Sequence, residues 1–424
     1  MYLDNSYAAV KSFDPEMARL VEAEEERQRT TLNLIVSENY ASPLAIGLEG
    51  SVLANKNAQG YPDTRMVGGC EIVNEVERIA VQRIKTLFGC EHANLQSMSA
   101  TLANIAVLRA LLKDGDTILA LGTALGGHIS HGDSCNLSGT YYHVVHYGFD
   151  PKTEQIDMNE VEDLAKSCRP KLIICGSGAY PRLVDYEGFS RIAKSVGAYL
   201  LADIAHPAGL IAAGLIPSPV PFADVVTSTT HKTWRGSRGC GVILCTQELA
   251  KRIDREVSPG LQGAPKMDMI AARAVQAKES MTPQFKAYQR QTMLNAAAFA
   301  DELQKCGLRL ISGGTDTHLI LADIRSHISS GALANDVLSS VGMVINKEPI
   351  PFDPQGDGPT SGIRIGTPAL TTRGLKEREF RQIAHLLSDA LRFSQQPDKL
   401  AEIREEAARM AVNYPLFSAE WMPV

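Results

Sequence analysis

A lysine that follows a predicted buried strand is the residue best suited to chemistry in this 424-residue sequence. Residues 225–227 are β-branched, and Thr230, His231 and Lys232 follow them. Burial disfavours the charged form of lysine, and the neutral amine is a nucleophile that forms a Schiff base with an aldehyde. The hydroxyl groups before Lys232 could hold a phosphate. The simpler alternative is a lysine whose ammonium group reaches the surface along a buried carbon chain.

A second predicted strand ends in an aspartate. Residues 198–202 are mainly apolar, Asp203 follows them, and His206 lies three residues further on. Pyridoxal phosphate requires an anion beside its ring nitrogen, so that the protonated ring accepts electrons from a carbanion, and a lysine for its aldehyde. Asp203 taken alone could also be a helix N-cap. Asp203 and Lys232 at the ends of two strands together favour a pyridoxal phosphate site.

Longer motifs surround both residues and occur in one order along the chain. They are residues 34–39, 60–62, 126–132, 202–206, 229–233, 259–263 and 360–369. With these motifs the chain resembles the serine hydroxymethyltransferases over nearly its whole length. The resemblance implies the fold-type I architecture and pyridoxal 5'-phosphate as the cofactor.

By this resemblance, Lys232 holds the cofactor and Asp203 pairs with its ring nitrogen. His128 would stack on the ring, although a histidine after two glycines could instead cap the next element. His206 and His231 would lie near the cofactor, with His206 on the side of its phenolic oxygen. Lys232, His128, Asp203 and His206 are therefore the predicted catalytic residues.

The resemblance also implies contacts to the substrate and the phosphate. Arg364 would clamp the amino-acid carboxylate, because a planar guanidinium binds a carboxylate bidentately and fixes which Cα bond stands perpendicular to the ring. Outside its motif, Arg364 would be interpreted as a surface ion-pair partner. The remaining predictions are Ser37 and Gln59 at the substrate, Ser99, Ala100 and Thr101 at the phosphate of the same subunit, and Tyr61 and Gly263 at the phosphate of a neighbouring subunit in a homodimer with shared active sites.

Several positions depart from the family pattern. Gln59 stands where the family has a glutamate, the acid/base of folate-linked transfer, and an amide cannot exchange a proton in that role at neutral pH. Met66 and Val67 replace two tyrosines that contact substrate and pteridine. Further departures are Asn57 for a tyrosine, Glu348 for a pterin-binding asparagine, Gly358 for a phenylalanine, Ala100 for a glycine, Leu102 for a glutamine, Asp268 for a histidine and Gly178 for a serine.

Because the cofactor residues are retained while the folate contacts change together, the sequence favours a folate-independent enzyme. It would make or break the Cα–Cβ bond of a small amino acid, as an aldolase or transaldolase, with an aldehyde or one-carbon donor. One alternative is an ordinary tetrahydrofolate-dependent hydroxymethyltransferase acting on serine and glycine or on α-methylserine. Others are racemisation, transamination or decarboxylation of a specialised amino acid. The net charge of −6 and the retained cofactor residues disfavour an RNA-binding protein or a pyridoxal-binding regulator.

The elements around these residues predict two main domains, since 424 residues exceed a usual single core. Strands alternate with helices, which predicts an α/β domain with a mainly parallel sheet, of the seven-stranded type that the resemblance implies, and ligands at the carboxyl ends of its strands. The predicted segments are an N-terminal arm with the substrate loop (1–85), a large cofactor-binding domain (86–285) and a small α+β domain (286–424). A long helix over about 282–306 would connect the two domains.

The cysteines and residues 1–5 give information about the cellular compartment of the protein. Eight cysteines lie scattered without a CxxC pair, which predicts reduced thiols. Residues 1–5 do not begin a basic stretch followed by an apolar run, and no apolar stretch is long enough to span a bilayer. We therefore expect a cytoplasmic protein, without nucleic acid or membrane as a partner. No metal site is predicted.

Overall fold

The structure, a computed structural model, describes residues 6–353 and 360–422. Its strands are β1 (Leu32–Asn33), β2 (His92–Asn94), β3 (Thr117–Leu121), β4 (His143–Tyr147), β5 (Leu172–Cys175), β6 (Tyr199–Asp203), β7 (Val225–Thr229), β8 (Gly241–Cys245), β9 (Arg309–Leu310), β10 (Leu319–Asp323), β11 (Met343–Val344), β12 (Asn346–Glu348) and β13 (Gly362–Gly366). Its helices are α1 (Ser6–Phe13), α2 (Pro15–Thr30), α3 (Pro43–Glu49), α4 (Glu71–Phe88), α5 (Ala100–Leu111), α6 (Leu137–Tyr141), α7 (Met158–Cys168), α8 (Tyr186–Val196), α9 (Ala208–Ala212), α10 (Ala250–Arg255), α11 (Met267–Ser280), α12 (Pro283–Lys305), α13 (Gly331–Ser340), α14 (Pro368–Thr372), α15 (Glu377–Arg392) and α16 (Pro397–Asn413).

A seven-stranded sheet forms the centre of the large α/β unit, in the order β2–β8–β7–β6–β5–β3–β4. Strand β8 is antiparallel to β2 and β7, and the other neighbours are parallel. Every residue of β5, β7 and β8 is buried, as expected for strands covered by helices on both faces. The predicted α/β fold with a mainly parallel sheet is confirmed. Asp203 ends β6 and Lys232 follows β7, so the two lie at the same sheet edge.

A second, four-stranded antiparallel sheet follows, in the order β12–β13–β10–β9. Its apolar residues form a separate core with α12, α13, α15 and α16, including Phe299, Ile320, Ile365 and Phe380. The long helix predicted over about 282–306 is α12, which begins where the Thr282 hydroxyl accepts a hydrogen bond from the amide of Phe285. The exact domain bounds remain predictions.

The N-terminal segment connects to this second unit. Helix α2 begins as its sequence predicts, with the Asp14 carboxylate accepting a 3.0 Å hydrogen bond from the Met17 amide and Pro15 in the first turn. Strand β1 then pairs in parallel with β11, and the amide of Gly366 donates to the carbonyl of Leu34 at 2.9 Å. The segment that carries Ser37 is therefore held beside β13. Across residues 6–353 and 360–422, no helix is long and apolar enough to cross a membrane.

Candidate active site

Lys232 lies in a tight turn after β7, with its side chain buried. Its carbonyl accepts hydrogen bonds from Asn39 Nδ2 (2.8 Å) and from the amide of Arg235 (3.1 Å), which fix the turn. Burial lowers the pKa of Lys232 to about 7, although the nearby Asp203 carboxylate opposes this shift. A large fraction of the amine is therefore neutral near pH 7. The alternative of an ammonium group that reaches the surface is wrong, because the residue is only 9% exposed.

Asp203 is buried and anionic. Its Oδ1 accepts from the amide of Ala205 (2.9 Å), and its Oδ2 accepts from Asn104 Nδ2 (2.8 Å) and pairs with His131 Nε2 (3.0 Å). Burial by itself would raise the pKa of Asp203, but the hydrogen bond and charge of His131 outweigh it and hold the pKa below its ordinary range. The N-cap alternative fails, since the next helix, α9, is preceded by Pro207.

His128 and Asp203 are linked through α5. Asn104 Nδ2 also donates to Ser130 Oγ (2.9 Å), which lies 2.7 Å from His128 Nδ1; because that nitrogen accepts from the Ser130 amide, the hydroxyl donates to it as well. The amide of Ser130 reaches the same nitrogen at 3.2 Å. His128 thus caps the following turn, the simpler interpretation, and its neutral ring carries the proton on Nε2. Burial lowers the pKa of His128 to about 4.

Two further histidines lie near Lys232, of which His206 is buried and His231 is half-buried. Burial and the Lys232 charge hold the pKa of His206 well below its ordinary value, and they lower that of His231 to about 3. Among the described residues, neither His206 Nδ1 nor His231 Nδ1 has a hydrogen-bond partner. His318 stacks on His206, with ring centroids 5.7 Å apart and planes 17° apart.

Arg364 lies on β13 and is largely buried, so it is not a surface ion-pair partner. It donates to the carbonyl of Gly178 and, through Nη2, to Asn346 Oδ1 at 3.4 Å. Its Nε lies 3.3 Å from Glu348 Oε2. Burial raises the pKa of Glu348, while the Arg364 charge opposes that shift. Ser37 lies in the turn after the segment that contacts β13, but no hydrogen bond of its side chain connects it to Arg364 among the described residues.

The predicted phosphate residues form the N-terminus of α5. The Ser99 hydroxyl caps this helix by accepting from the amide of Leu102 (3.1 Å), and Ala100 and Thr101 begin the first turn. Free amides and the helix dipole make such a terminus favourable for a phosphate. The same helix carries Asn104, so α5 connects the phosphate end with Asp203.

Three predicted residues stay apart from this cluster within one chain. The Tyr61 hydroxyl donates to the carbonyl of Asp254 (2.7 Å) and accepts from Asn94 (2.8 Å). Gly263 is exposed, and Gln59 is half-buried in its loop. None of the three forms a hydrogen bond to Lys232, Asp203, His128 or Arg364 in the part of the chain that the structure describes. The contacts of Tyr61 and Gly263 to the phosphate of a neighbouring subunit, and of Gln59 to the substrate, remain predictions.

Sequence reasoning missed several residues around the site. The sequence motif at 126–132 contains Ser130 and His131 but does not indicate a role for either. The sequence also assigns no role to Asn104 or His318. Buried polar residues in otherwise apolar segments were the available signal, because such side chains require partners.

These residues fit pyridoxal phosphate. A nucleophilic amine suits its aldehyde, a buried anion suits its protonated ring nitrogen, and a helix N-terminus suits its phosphate. The unpartnered nitrogens of His206 and His231 are groups that a bound ligand could satisfy. Lys232, Asp203 and the start of α5 therefore present the functional groups that this cofactor requires.

Comparisons with known proteins agree with this fit. The model of the family described as serine hydroxymethyltransferase matches residues 10–387. A serine hydroxymethyltransferase of Myxococcus xanthus (strain DK1622) is 49% identical over 406 residues, which cover 96% of this chain and 97% of the relative. One of Coprothermobacter proteolyticus (strain ATCC 35245 / DSM 5265 / OCM 4 / BT) is 49% identical over 412 residues, 97% of this chain and 99% of the relative.

These relatives do not support the predicted folate-independent aldolase or transaldolase. They favour the alternative, an ordinary serine hydroxymethyltransferase, because the identity extends over nearly the whole of both chains. The substitutions in the loop at 55–69 are thus compatible with membership of the family. The chain belongs to the serine hydroxymethyltransferase family of fold-type I, pyridoxal phosphate-dependent enzymes.

Proposed function

We propose that this chain transfers a hydroxymethyl group between serine and glycine, with tetrahydrofolate as the one-carbon carrier. The observation that carries the proposal is the cluster of buried Lys232 and Asp203 with half-buried Arg364, in a chain 49% identical to proteins named for this activity. The reaction belongs to amino-acid and one-carbon metabolism.

The charge and position of each site residue indicate its role in this reaction. When bound, pyridoxal phosphate supplies a ring that accepts electrons from a broken bond at Cα. Lys232, neutral in part near pH 7, would provide the amine that holds the cofactor's aldehyde. Asp203 would provide a negative charge for the ring nitrogen, and neutral His128 would lie beside the ring without adding a cation. Arg364 binds the substrate carboxylate and orients the Cα bonds.

Gln59 supports a second candidate, cleavage of a β-hydroxy amino acid without folate. An amide cannot exchange a proton at neutral pH, so the proton transfer assigned to a glutamate requires water or another group here. Met66 replaces a predicted tyrosine contact with an exposed apolar side chain, and Glu348 adds a carboxylate beside Arg364. Gly358, another predicted folate position, lies outside the described residues.

One experiment separates the candidates. Purified holoenzyme is given serine, and glycine formation is measured with and without tetrahydrofolate. Hydroxymethyl transfer to folate predicts turnover that requires the carrier. Turnover at the same rate without it would reject the first candidate and favour the second.

Further proposals concern assembly and location. We further propose a homodimer in which Tyr61 and Gly263 reach the phosphate in the partner's active site; the exposure of Gly263 supports this. We also propose that the N-terminal arm, the large domain and the small domain have the bounds 1–85, 86–285 and 286–424. A cytoplasmic location is supported by eight cysteines that are all free thiols.

A further inference from the structure

The tail at residues 414–422 runs from one hydrophobic core to the other. It follows α16, whose Ala407 and Ala411 belong to the second core. Trp421 and Met422, each only 5% exposed, pack in the core of the large unit. The tail therefore ends against the body that carries Lys232.

Trp421 connects to the Lys232 turn through Arg235. The Trp421 carbonyl accepts a hydrogen bond from Arg235 Nη2 at 3.2 Å, and the Arg235 amide donates to the Lys232 carbonyl at 3.1 Å. Arg235 has φ of 60°, a left-handed conformation that is costly for a side chain of this size. Its guanidinium is buried and stacks on Tyr288 at 4.8 Å from the ring centroid.

Trp421 holds this arginine in place. Among the described residues, Nε and Nη1 of Arg235 have no hydrogen-bond partner, so the bond to the Trp421 carbonyl is a principal restraint on a buried cation. A tail that moves away would leave that guanidinium further unsatisfied, which is costly in a buried position. The conformation of Arg235, three residues after Lys232, therefore depends on the tail.

A second chain of hydrogen bonds begins at the indole nitrogen of Trp421. Trp421 Nε1 donates to the carbonyl of Thr372 at 3.3 Å. The Thr372 hydroxyl donates to Asn39 Oδ1 at 2.7 Å, and Asn39 Nδ2 donates to the Lys232 carbonyl at 2.8 Å. Two separate paths from Trp421 thus converge on one backbone carbonyl.

We propose that Trp421 is a positioning residue that aims Lys232 by fixing its turn through Arg235 and through Thr372 and Asn39. The inference rests on the proposed function, because it takes Lys232 as the residue that binds the cofactor. The hydrogen bonds of Trp421 go to Arg235 and Thr372, so it acts on Lys232 through other residues. Its loss changes how well the amine is placed, and not whether the substrate carboxylate is bound.

The test compares holoenzyme of wild type, Trp421→Ala, Trp421→Phe and the control Glu420→Ala. Glu420 is adjacent and exposed, and within residues 6–353 and 360–422 its only ion pair is with exposed Lys376, at 3.5 Å. For each protein, Tm, kcat, KM for serine and the pH midpoint of the absorbance of the bound cofactor are measured. We expect Trp421→Ala to lower kcat by about tenfold and to shift the midpoint, with KM for serine unchanged. Trp421→Phe keeps the packing but loses the Nε1 donor, so a smaller fall in kcat is expected.

If Trp421 has a merely structural role, Trp421→Ala lowers Tm but leaves kcat and the pH midpoint at the wild-type values. That result would overturn the proposal. If Trp421→Ala does not fold, Trp421→Phe decides: a lower kcat at wild-type Tm supports the proposal, and a wild-type kcat overturns it. If wild type and Glu420→Ala both lack the absorbance of a lysine-bound cofactor, the proposed function fails and this inference fails with it.

Discussion

His131 Nε2 lies 3.0 Å from Asp203 Oδ2, and both side chains are more than nine-tenths buried. A buried carboxylate is stable as an anion only when it is paired and hydrogen-bonded. His131 pairs with Oδ2 of Asp203, whereas the Ala205 amide donates to Oδ1. The pair therefore keeps an anion ready for a protonated ring nitrogen.

Replacing His131 tests this pairing. His131→Phe removes this hydrogen bond, which lowers the pKa of Asp203, so that pKa rises toward its ordinary range. A hydrogen bond to a charged group contributes about 1.5–3 kcal/mol, so cofactor affinity should fall by about tenfold or more. Titration of the apoprotein with cofactor measures the change. The exposed His143 serves as a control (His143→Phe), and equal affinities in the two variants would refute the role.

The pKa of Lys232 gives a prediction about pH. Because burial lowers this pKa to about 7, the neutral amine is scarce at pH 6 and dominant at pH 8. The rate of cofactor uptake by the apoprotein should rise by about tenfold between these values and then level off. Stopped-flow absorbance measures it. A lysine of ordinary pKa would instead show a rate that keeps rising to about pH 10.

Arg364→Ala should weaken substrate binding and leave cofactor binding intact. Removing one partner of a buried, charge-assisted contact costs about 2–5 kcal/mol, so KM for serine should rise by more than about tenfold. Arg378→Ala is the matched control, because that guanidinium is 82% exposed. An unchanged serine titration of the holoenzyme spectrum would exclude Arg364 as the carboxylate clamp.

The loop around Gln59 gives a test of folate use. Gln59→Glu, together with Met66→Tyr and Val67→Tyr, restores the residues of the family pattern, including a group that can exchange a proton. We expect the tetrahydrofolate-dependent rate of glycine formation to increase. Gln59→Asn with the same tyrosines controls for the altered loop. An equal rate in both triple variants would show that the carboxylate is not used.

The fold and the centre of the site were predictable because their signals are local. Strand ends bring Asp203 and Lys232 to one sheet edge, and this follows from apolar runs and from the alternation of strands and helices. Caps are also local, as Asp14 and Thr282 show at α2 and α12.

The contacts that hold the site residues in position were not predictable in the same way. His131 and Asn104 reach Asp203 across 72 and 99 residues, and no short pattern reports such a contact. Trp421 accepts a hydrogen bond from Arg235, which lies 186 residues earlier in the chain. Such contacts depend on how helices pack against the sheet, which the hydrophobic pattern alone does not specify.

The central claim is that Lys232 carries the cofactor. The most direct measurement is borohydride reduction of the holoenzyme, followed by peptide mapping of the labelled lysine, in wild type and in Lys232→Ala. Lys278→Ala provides a lysine control from the same chain. We predict a single labelled peptide that contains Lys232 in wild type and in the control, with no labelled peptide in Lys232→Ala. A label on another lysine in wild type, or a retained chromophore in Lys232→Ala together with a label on another lysine, would contradict the claim.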